Sequence, residues 1–244
     1  MMNKIYYFFT FITLLLCLSS CELDNYSGPN AEISGKILDQ DGTPLQLEPG
    51  SSNMRIKLEE LSWKNSNPTV SISPQYLNVK LDGTYQNTKL FSGTYKITPV
   101  EGAFYPYAIS GDTTELKGSI VKNFTVVPYL QVSWVAEPTV DNSNYIVASV
   151  KFKRNSIAGV TAPNLNNAIF CISTNQYVGN NNYDGQLITG VISVTNSQEG
   201  QTLNFKTSRA VKYLHTIYYV RVGICCSDTY KKYNYTDVKT VVVP

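Results

Sequence analysis

The strongest constraint on the fold of this 244-residue chain is a repeated alternation of apolar and polar residues in short runs. A period of two is typical of β-strands with one buried face, and Gly, Pro, Asn and Asp separate the runs as turn residues. The alternation is clearest in residues 54–58, 77–81 and 218–224. Helical periodicity does not persist beyond about one turn. The sequence therefore predicts an all-β protein.

The composition supports a folded β protein and argues against nucleic-acid binding. Hydrophobic residues make up 43% of the chain and charged residues 16%, which is typical of globular domains. The 18 tyrosines are numerous, and Tyr favours strands and half-exposed surfaces. The formal net charge is only +2, and Lys and Arg are scattered without the basic stripe that nucleic-acid-binding surfaces carry.

The first twenty residues predict a bacterial lipoprotein signal peptide. Lys4 precedes an apolar run over residues 5–18, which is short for a membrane span of roughly 20 residues. Residues 18–21 (Leu-Ser-Ser-Cys) resemble a lipobox, in which Cys21 is acylated and becomes the mature N-terminus. Cys17 is a competing candidate, although a bulky leucine precedes it. A cleaved signal peptide followed by an ordinary free Cys21 is the other alternative.

Two acidic residues predict the side of the membrane that the anchored protein occupies. Glu22 and Asp24 follow Cys21 and resemble the export signal of Bacteroidetes lipoproteins on the outer face of the outer membrane. Two or three acyl chains anchor a protein stably. The sequence therefore predicts a lipid-anchored outer-membrane protein facing outside, with residues 1–20 as signal peptide and residues 21–30 as lipidated linker.

The order of strands and turns predicts two β-sandwich domains in tandem, divided near Val127. Residues 31–127 contain a Gly-x-Ile-x-Asp strand, an Asp-Gly-x-Pro-Leu turn and two later Gly-Thr-Tyr strings. This order resembles the carboxypeptidase-regulatory or transthyretin-like sandwich. Residues 128–244 combine a Trp-containing strand with a late Tyr-x-Val-x-Val strand, and resemble the fibronectin type III or immunoglobulin-like sandwich. Two domains of about 100 residues each suit the chain length.

The mature chain as a whole resembles a Bacteroidetes lipoprotein family of unknown function, encoded beside SusC-like and SusD-like outer-membrane proteins. Several short strings carry the resemblance in order, mostly in the first domain. They are Asp24-Asn25-Tyr26, Pro29-Asn30, Ile33-Ser34-Gly35, Leu58-Glu59-Glu60 with Trp63, Asp82-Gly83-Thr84-Tyr85, and residues 90–95 and 124–129. The resemblance brings no established activity, and it implies a part in capturing or importing glycans at the cell surface.

The residue types present favour neither metal binding nor catalysis. His215 is the single histidine and is interpreted as a surface or strand-edge residue. Asp39-x-Asp41-Gly42 is interpreted as a turn, because no further acidic ligands continue a calcium-loop register. A glycosidase needs only two carboxylates, but the adjacent Glu59 and Glu60 would point to opposite faces of a strand. The sequence therefore predicts a non-enzymatic protein without a metal or other cofactor.

Three cysteines remain after processing, all in the second domain: Cys171, Cys225 and Cys226. An exported protein can form disulfides, so Cys171 could pair with either of the other two if their strands are neighbours. Buried free thiols are the favoured interpretation. Strand alternation places Cys226 on the core face and Cys225 on the opposite face.

Three loops combine aromatic and polar side chains as sugar recognition requires, since a sugar ring has an apolar face and a polar rim. These loops cover residues 102–107, 177–185 and 228–235. The candidate ligand-binding residues are Tyr105, Tyr107, Tyr177, Asn181, Tyr183, Asp184, Tyr230 and Tyr233. The alternative is ordinary polar loops whose tyrosines pack on their own sandwich. Trp134 is predicted to lie in the core, whereas Trp63 suits the core and an exposed platform equally.

The leading functional hypothesis is a non-catalytic cell-surface lipoprotein of a polysaccharide-utilisation system. Such a protein would bind an oligosaccharide or act as an accessory subunit of a SusC/SusD-like importer. The alternative is a structural or adhesive interaction protein at the cell surface without a small-molecule ligand. The expected partners are the outer membrane, an oligosaccharide and SusC/SusD-like proteins, and not nucleic acid.

Overall fold

A computed structural model of the chain describes residues 27–48, 50, 53–107, 113–188 and 190–244. The predicted signal peptide and the residues Cys21, Glu22 and Asp24 lie outside this described part. Within it the chain is nearly all β, which confirms the predicted all-β sandwich class.

Eight described strands precede residue 127, and eight follow it. The first eight are β1 (Ala31–Leu38), β2 (Arg55–Glu60), β3 (Gln75–Asn78), β4 (Thr84–Leu90), β5 (Gly93–Val100), β6 (Thr113–Leu116), β7 (Gly118–Val121) and β8 (Phe124–Thr125). The second eight are β9 (Leu130–Val140), β10 (Ile146–Arg154), β11 (Leu165–Ser173), β12 (Ile192–Ser193), β13 (Leu203–Lys206), β14 (Ile217–Cys226), β15 (Tyr233–Tyr235) and β16 (Lys239–Val242). A helix α1 (Leu61–Ser66) follows β2, and a 3-10 turn (Asn196–Gln198) follows β12.

The strands of each half of the chain pair only among themselves in the described residues. In the N-terminal half (residues 31–127) one sheet has the order β4-β1-β7, with β8 also on β1, and the other has the order β3-β2-β5-β6. In the C-terminal half (residues 128–244) the orders are β13-β10-β9 and β12-β11-β14-β15, with β16 also on β14. Each half therefore contributes two sheets, as a sandwich requires.

Each pair of sheets encloses its own hydrophobic cluster because alternate residues of its strands face inward. Ile33, Ile56 and Leu58 are among the buried residues of the N-terminal cluster. Phe152 and Val222 belong to the large C-terminal cluster. A smaller third cluster lies on the opposite face of β11 and β14, and its buried members are Ile169, Cys171, Val178, Cys225, Tyr233 and Tyr235.

The structure differs from the sequence prediction at two places where local pattern is weak. Residues 233–235 were expected in a loop but form β15, which pairs with Gly223–Cys225 of β14. Residues 61–66 form the helix α1, which has no buried residue and therefore leaves no amphipathic pattern to detect. Both elements are short, and tertiary contacts rather than local propensity determine them.

Gly35 in β1 is a position where only a hydrogen side chain fits. A Cβ built there would lie 1.8 Å from the backbone carbonyl oxygen of Lys122. The same carbonyl accepts a hydrogen bond from the Tyr85 hydroxyl at 2.5 Å, and the Lys122 N–H donates to the Ser34 carbonyl at 2.8 Å. The chain at residue 122 is therefore held against β1 and cannot move aside without losing these bonds.

We expect Gly35→Ala to lower the free energy of unfolding by about 3 kcal/mol, since overpacking against fixed backbone is costly. Urea denaturation followed by circular dichroism measures this change. Gly28→Ala is the matched control, because a Cβ at Gly28 meets nothing within 4 Å. Equal midpoints for the two variants would contradict the close approach of residue 122 to β1.

Candidate functional site

A cleft of about 990 Å³ lies between the two halves of the chain. One wall is the turn after β1 (residues 39–46), and the other is formed by β9 and β10 with residues around β15. Ligand sites in proteins commonly have volumes of about 300–1,000 Å³ and occur at domain interfaces. The size and position of this cleft make it the candidate functional site.

The cleft is lined by apolar as well as polar residues. Leu45, Leu130 and Phe152 are its buried apolar lining residues. The polar lining residues include four carboxylates and two lysines: Asp39, Asp41, Glu199, Asp237, Lys151 and Lys153. Gln46, Gln131, Ser133 and Thr43 add amide and hydroxyl groups. The lining of the cleft therefore includes apolar residues, many hydrogen-bonding groups and a small excess of negative charge.

Strand register brings the polar residues of the second wall together. Ser133 of β9 is paired with Lys151 of β10, and Gln131 is paired with Lys153. Because alternate residues of a strand share a face, these four side chains lie on the same face of the sheet, opposite buried Phe152. The alternation in the sequence of β9 and β10 thus produces a polar surface beside the apolar core.

The first wall is a tight turn whose carboxylate stabilises its own backbone. Asp39 Oδ1 accepts hydrogen bonds from the N–H groups of Asp41 and Thr43 at 2.9 and 2.8 Å. Gly42 has a positive φ of 78°, which glycine adopts without strain. This confirms that the Asp39-x-Asp41-Gly42 string forms a turn. Gln131 Nε2 donates to Asp41 Oδ2 at 2.8 Å and so joins the two walls.

The remaining carboxylates of the cleft also accept hydrogen bonds from the protein. Asp237 accepts from Trp134 Nε1 at 2.9 Å and pairs with Lys239 Nζ at 3.1 Å. Glu199 Oε1 accepts from the Arg154 N–H at 2.7 Å. Both carboxylates therefore already have hydrogen-bond partners within the protein.

A buried polar cluster holds the two halves together at the base of the cleft. Glu48 of the N-terminal half accepts the Asn181 N–H at 2.7 Å and a short hydrogen bond from the Tyr235 hydroxyl. Arg221 of the C-terminal half donates to the Leu47 carbonyl at 2.8 Å. Its guanidinium lies 3.8 Å above the Tyr235 ring centroid, which is a favourable cation–π distance.

Burial governs the ionisation of this cluster. It lowers the pKa of Arg221 to about 10, so the guanidinium is still charged at neutral pH. It raises the pKa of Tyr235 well above its ordinary value, so the hydroxyl keeps its proton and donates to Glu48. Arg221 is fully buried and Glu48 is 6% exposed, so each charge has lost its water and depends on the protein for partners.

Two buried asparagines fix the connection between the halves. Asn234 Nδ2 donates to the Ala103 carbonyl at 2.9 Å, and its Oδ1 accepts the Leu130 N–H at 3.1 Å. Asn155 Nδ2 donates to the Pro128 carbonyl at 2.9 Å, and the Asn155 carbonyl accepts the Tyr105 hydroxyl at 2.7 Å. The backbone around residue 128 is therefore hydrogen-bonded to both sides of the junction.

The predicted sugar-binding tyrosines occupy very different environments. Tyr105 and Tyr233 are 3% and 9% exposed, and both hydroxyls donate within the protein, to Asn155 and to Asn167 respectively. Tyr107 is half-buried and packs edge-on against Phe124 with ring centroids 5.8 Å apart. The rings of Tyr105 and Tyr233 present no free face for stacking on a sugar, so we exclude these two residues from the candidate site.

The loop of residues 177–185 serves mainly the interface. Tyr177 is exposed, whereas Tyr183 is half-buried and packs against two hydrophobic clusters. The Asn181 backbone donates to Glu48, and Asp184 Oδ1 accepts the Gln186 N–H at 2.8 Å. Asn181 and Asp184 therefore form hydrogen bonds within the protein itself.

The second and third candidate loops follow opposite ends of a strand pair. Ser173 of β11 is opposite Tyr219 of β14, whereas Leu165 is opposite Cys226. The loop with Tyr177 follows Ser173, and the loop with exposed Tyr230 follows Cys226. The structure therefore does not bring Tyr177 and Tyr230 into one site.

The cysteines are buried free thiols, as the favoured interpretation predicts. Cys171 is paired with Arg221, four residues from Cys225 on the same strand, which is roughly 13 Å and beyond disulfide reach. Cys225 and Cys226 belong to different hydrophobic clusters. Burial raises the pKa of Cys225 to about 11 and that of Cys226 to about 12.

The two tryptophans differ in how far their side chains are exposed to solvent. Trp134 is half-buried against the C-terminal cluster and donates to Asp237, whereas Trp63 on α1 is 57% exposed. Trp134 is thus a packing residue at the edge of the core. Trp63 is an exposed aromatic platform rather than a core residue.

Sequence reasoning missed the cleft itself. The outward polar residues Gln131 and Ser133 are visible in the alternation of β9, but the sequence does not show that the turn at Asp41 faces them. The contact joins positions 90 residues apart. A single sequence carries no signal for such a pairing.

Comparison with known proteins agrees with this fold. Residues 31–127 match the N-terminal domain of DUF3823, a protein family of unknown function. No curated protein matches the chain.

Several solved structures resemble most of the chain. A DUF3823 family protein from Bacteroides uniformis ATCC 8492 is 23% identical, with a TM-score of 0.75. A protein from the same strain, provisionally named carbohydrate binding, is 24% identical with a TM-score of 0.67. A DUF3823 family protein from Parabacteroides merdae ATCC 43184 is 20% identical with a TM-score of 0.68. Each alignment covers 88% of this chain and 100% of the other, and shows that the fold is shared.

The described residues include neither a membrane-spanning helix nor a metal cluster. None of their helices is long and apolar enough to cross a bilayer. None of their His, Cys, Asp and Glu side chains form a group of three or more placed to hold a metal ion.

We expect Glu48→Ala to lower the free energy of unfolding by about 3 kcal/mol, because it leaves the buried charge of Arg221 without its acidic neighbour and two donors without an acceptor. Glu48→Gln keeps acceptor capacity and should cost less. Urea denaturation measures both.

Glu115→Ala is the matched control, since Glu115 is exposed on β6 and surface substitutions usually change stability by less than about 0.5 kcal/mol. A Glu48→Ala variant as stable as this control would show that the buried cluster does not hold the halves together.

Proposed function

We propose that this protein is a non-catalytic glycan-binding lipoprotein of the outer-membrane surface, and that the cleft between its two halves is the binding site. The observation that carries the proposal is the combination of apolar lining residues with amide, hydroxyl and carboxylate groups in a cleft of about 990 Å³. A sugar chain needs this combination, because each ring offers an apolar face and a rim of hydroxyls.

The charge of the cleft supports a neutral glycan over an anionic one. Its lining has four carboxylates against two lysines. A uronate or sulfate group would meet a net negative surface, and like charges in a partly desolvated site repel. Neutral hydroxyls, by contrast, can donate to the carboxylates and accept from Lys151 and Lys153.

The state of the carboxylates supports binding over hydrolysis. A glycosidase needs one protonated carboxylic acid, which enzymes obtain by placing it in an apolar pocket. Asp41, Glu199 and Asp237 are instead exposed and accept hydrogen bonds from protein donors. These three carboxylates therefore do not occupy the apolar pocket that the acid of a glycosidase needs.

Two further observations support the proposal. A solved structure with the same fold is provisionally named carbohydrate binding. The N-terminal half matches a family of unknown function, and nothing in that match points to catalysis.

The cellular setting is part of the proposal. Acylation of Cys21 would anchor the chain in the outer membrane, and Glu22 with Asp24 would direct it outward. The division at Val127 into two sandwich domains would present the cleft to passing glycans, and a SusC/SusD-like importer would receive the captured oligosaccharide. The separate sheets of the two halves support this division.

We expect Ser133→Tyr to lower glycan affinity at least about tenfold, because the larger side chain fills the exposed polar wall of the cleft. Affinity electrophoresis through gels containing starch, mannan, xylan or inulin measures the binding. Thr139→Tyr is the matched control, since Thr139 is exposed on the same strand but does not line the cleft.

Two results would contradict this assignment. Equal retardation of Ser133→Tyr and wild type would show that the glycan binds elsewhere. If wild type were not retarded by any polysaccharide, glycan binding itself would be wrong, and the structural or adhesive alternative would replace it.

The anchor has its own test. Cys21→Ser should abolish incorporation of labelled palmitate and release the protein from the membrane fraction, whereas Cys17→Ser should leave both unchanged. Retention of label by Cys21→Ser would contradict the assigned lipidation site.

Replacement of Glu22 and Asp24 by Ala should protect the anchored protein from protease added to intact cells.

A further inference from the structure

The N-terminal half contains a second pocket, separate from the cleft, beside the exposed indole of Trp63. The pocket has a volume of about 210 Å³. Residues between β2 and β3 form most of its wall, and Trp63 of α1 stands at its side. None of its lining residues lines the cleft between the halves.

The exposure of Trp63 needs an explanation because its ring contributes nothing to the core. The side chain is 57% exposed, and α1 has no buried residue. Its backbone is nevertheless held in place. The Trp63 carbonyl accepts hydrogen bonds from the Asn67 N–H at 3.0 Å and from Asn67 Nδ2 at 3.1 Å. The helix therefore presents a large apolar ring to solvent from a fixed backbone.

The rest of the pocket has the two kinds of surface that a sugar ring requires. Buried Leu58 and Tyr95 contribute its apolar base. Glu60 and Gln75 supply a carboxylate and an amide, and Ser71 and Ser73 supply hydroxyls. An indole face beside such groups matches the apolar face and polar rim of a pyranose.

The carboxylate of the pocket is positioned by its neighbours. Ser62 Oγ donates to Glu60 Oε1 at 3.1 Å, and the Thr94 N–H donates to Ser62 Oγ at 3.3 Å. Ser62 therefore links Glu60 to the backbone of β5. A carboxylate can accept about four hydrogen bonds, so this single bond leaves capacity for ligand hydroxyls.

The charge and volume of the pocket restrict the ligand. Among the described residues, Glu60 is the single charged residue of its lining, which disfavours an anionic sugar. The volume of about 210 Å³ equals that of roughly seven water molecules in the liquid. A pocket of this size suits one sugar ring and not an oligosaccharide chain.

We propose that the Trp63 pocket is a second sugar-binding site, which stacks one neutral pyranose unit on the indole and binds its hydroxyls through Glu60 and Gln75. This site extends the proposed glycan binding from the cleft to the N-terminal half, but its argument rests on different residues. A glycan held at both sites would gain from bivalent binding.

The two tryptophans allow a direct test on the whole chain, since the sequence contains only Trp63 and Trp134. In Trp134→Phe the emission reports Trp63 alone. We expect methyl glucoside, methyl galactoside, methyl mannoside or N-acetylglucosamine to cause a saturable change in this emission at millimolar concentrations. Glucuronate should cause none at the same concentrations.

Three variants define the site. Glu60→Gln should weaken the response at least fivefold. Gly93→Ala should also weaken it, because a Cβ there would lie 2.4 Å from Ser62 Oγ and displace the residue that positions Glu60. In Trp63→Phe combined with Ser133→Tyr, Trp134 is kept and the cleft is filled, so the same sugars should leave the emission unchanged. If Trp134→Phe does not fold, the difference between wild type and Trp63→Phe carries the same information.

Several outcomes would overturn the proposal. They are the absence of a saturable change with every neutral sugar, an equal change in the Trp63→Phe/Ser133→Tyr double variant, and binding of glucuronate as strong as that of glucoside. The cleft variant Ser133→Tyr should leave the Trp63 response intact. Retardation of Ser133→Tyr equal to that of wild type, together with a preserved Trp63 response, would reject the cleft assignment and not this site.

Discussion

The buried cluster of Glu48, Arg221 and Tyr235 is the interaction on which the arrangement of the two halves depends. Each half has its own sheets and main hydrophobic cluster, and Ala103 and Tyr105 of the N-terminal half also pack into the C-terminal cluster. Arg221 and Glu48 have lost their water, and each has a hydrogen-bond partner across the junction. Such groups tolerate few alternative arrangements, since any other leaves a buried charge unsatisfied.

The cleft follows from this constraint. Leu47 and Glu48 are held against the C-terminal half, and the preceding chain is the turn that faces β9. The bond between Gln131 and Asp41 then spans the two walls. A ligand would meet groups that are already in place, which reduces the entropy cost of binding. The Trp63 pocket lies within the N-terminal half and does not depend on this junction.

The sequence predicted the fold better than the site. The alternation of Tyr218, Val220 and Val222 identified β14 and its buried face, because one buried face imposes a period of two. The Asp39 turn was identified because its chemistry is local. Tyr105 and Tyr233 were expected in ligand loops and are buried, since a tyrosine can fill a core or face a ligand equally well. Tyr233 lies in β15, which only its pairing with β14 determines.

The sequence by itself determined the all-β class and the main strands. It also determined that Cys226 faces the core and that Cys225 lies on the opposite face of the same strand. These features follow from alternation and turn chemistry, which act over a few residues. The tertiary structure alone decided that Asp41 meets Gln131, that Glu48 meets Tyr235, and that Trp63 faces solvent beside Glu60. The first two contacts join positions 90 and 187 residues apart, and the exposure of Trp63 depends on how the β2–β3 connection packs on β5. Binding sites of this kind are made by packing of distant segments, and local periodicity carries no record of which segments meet.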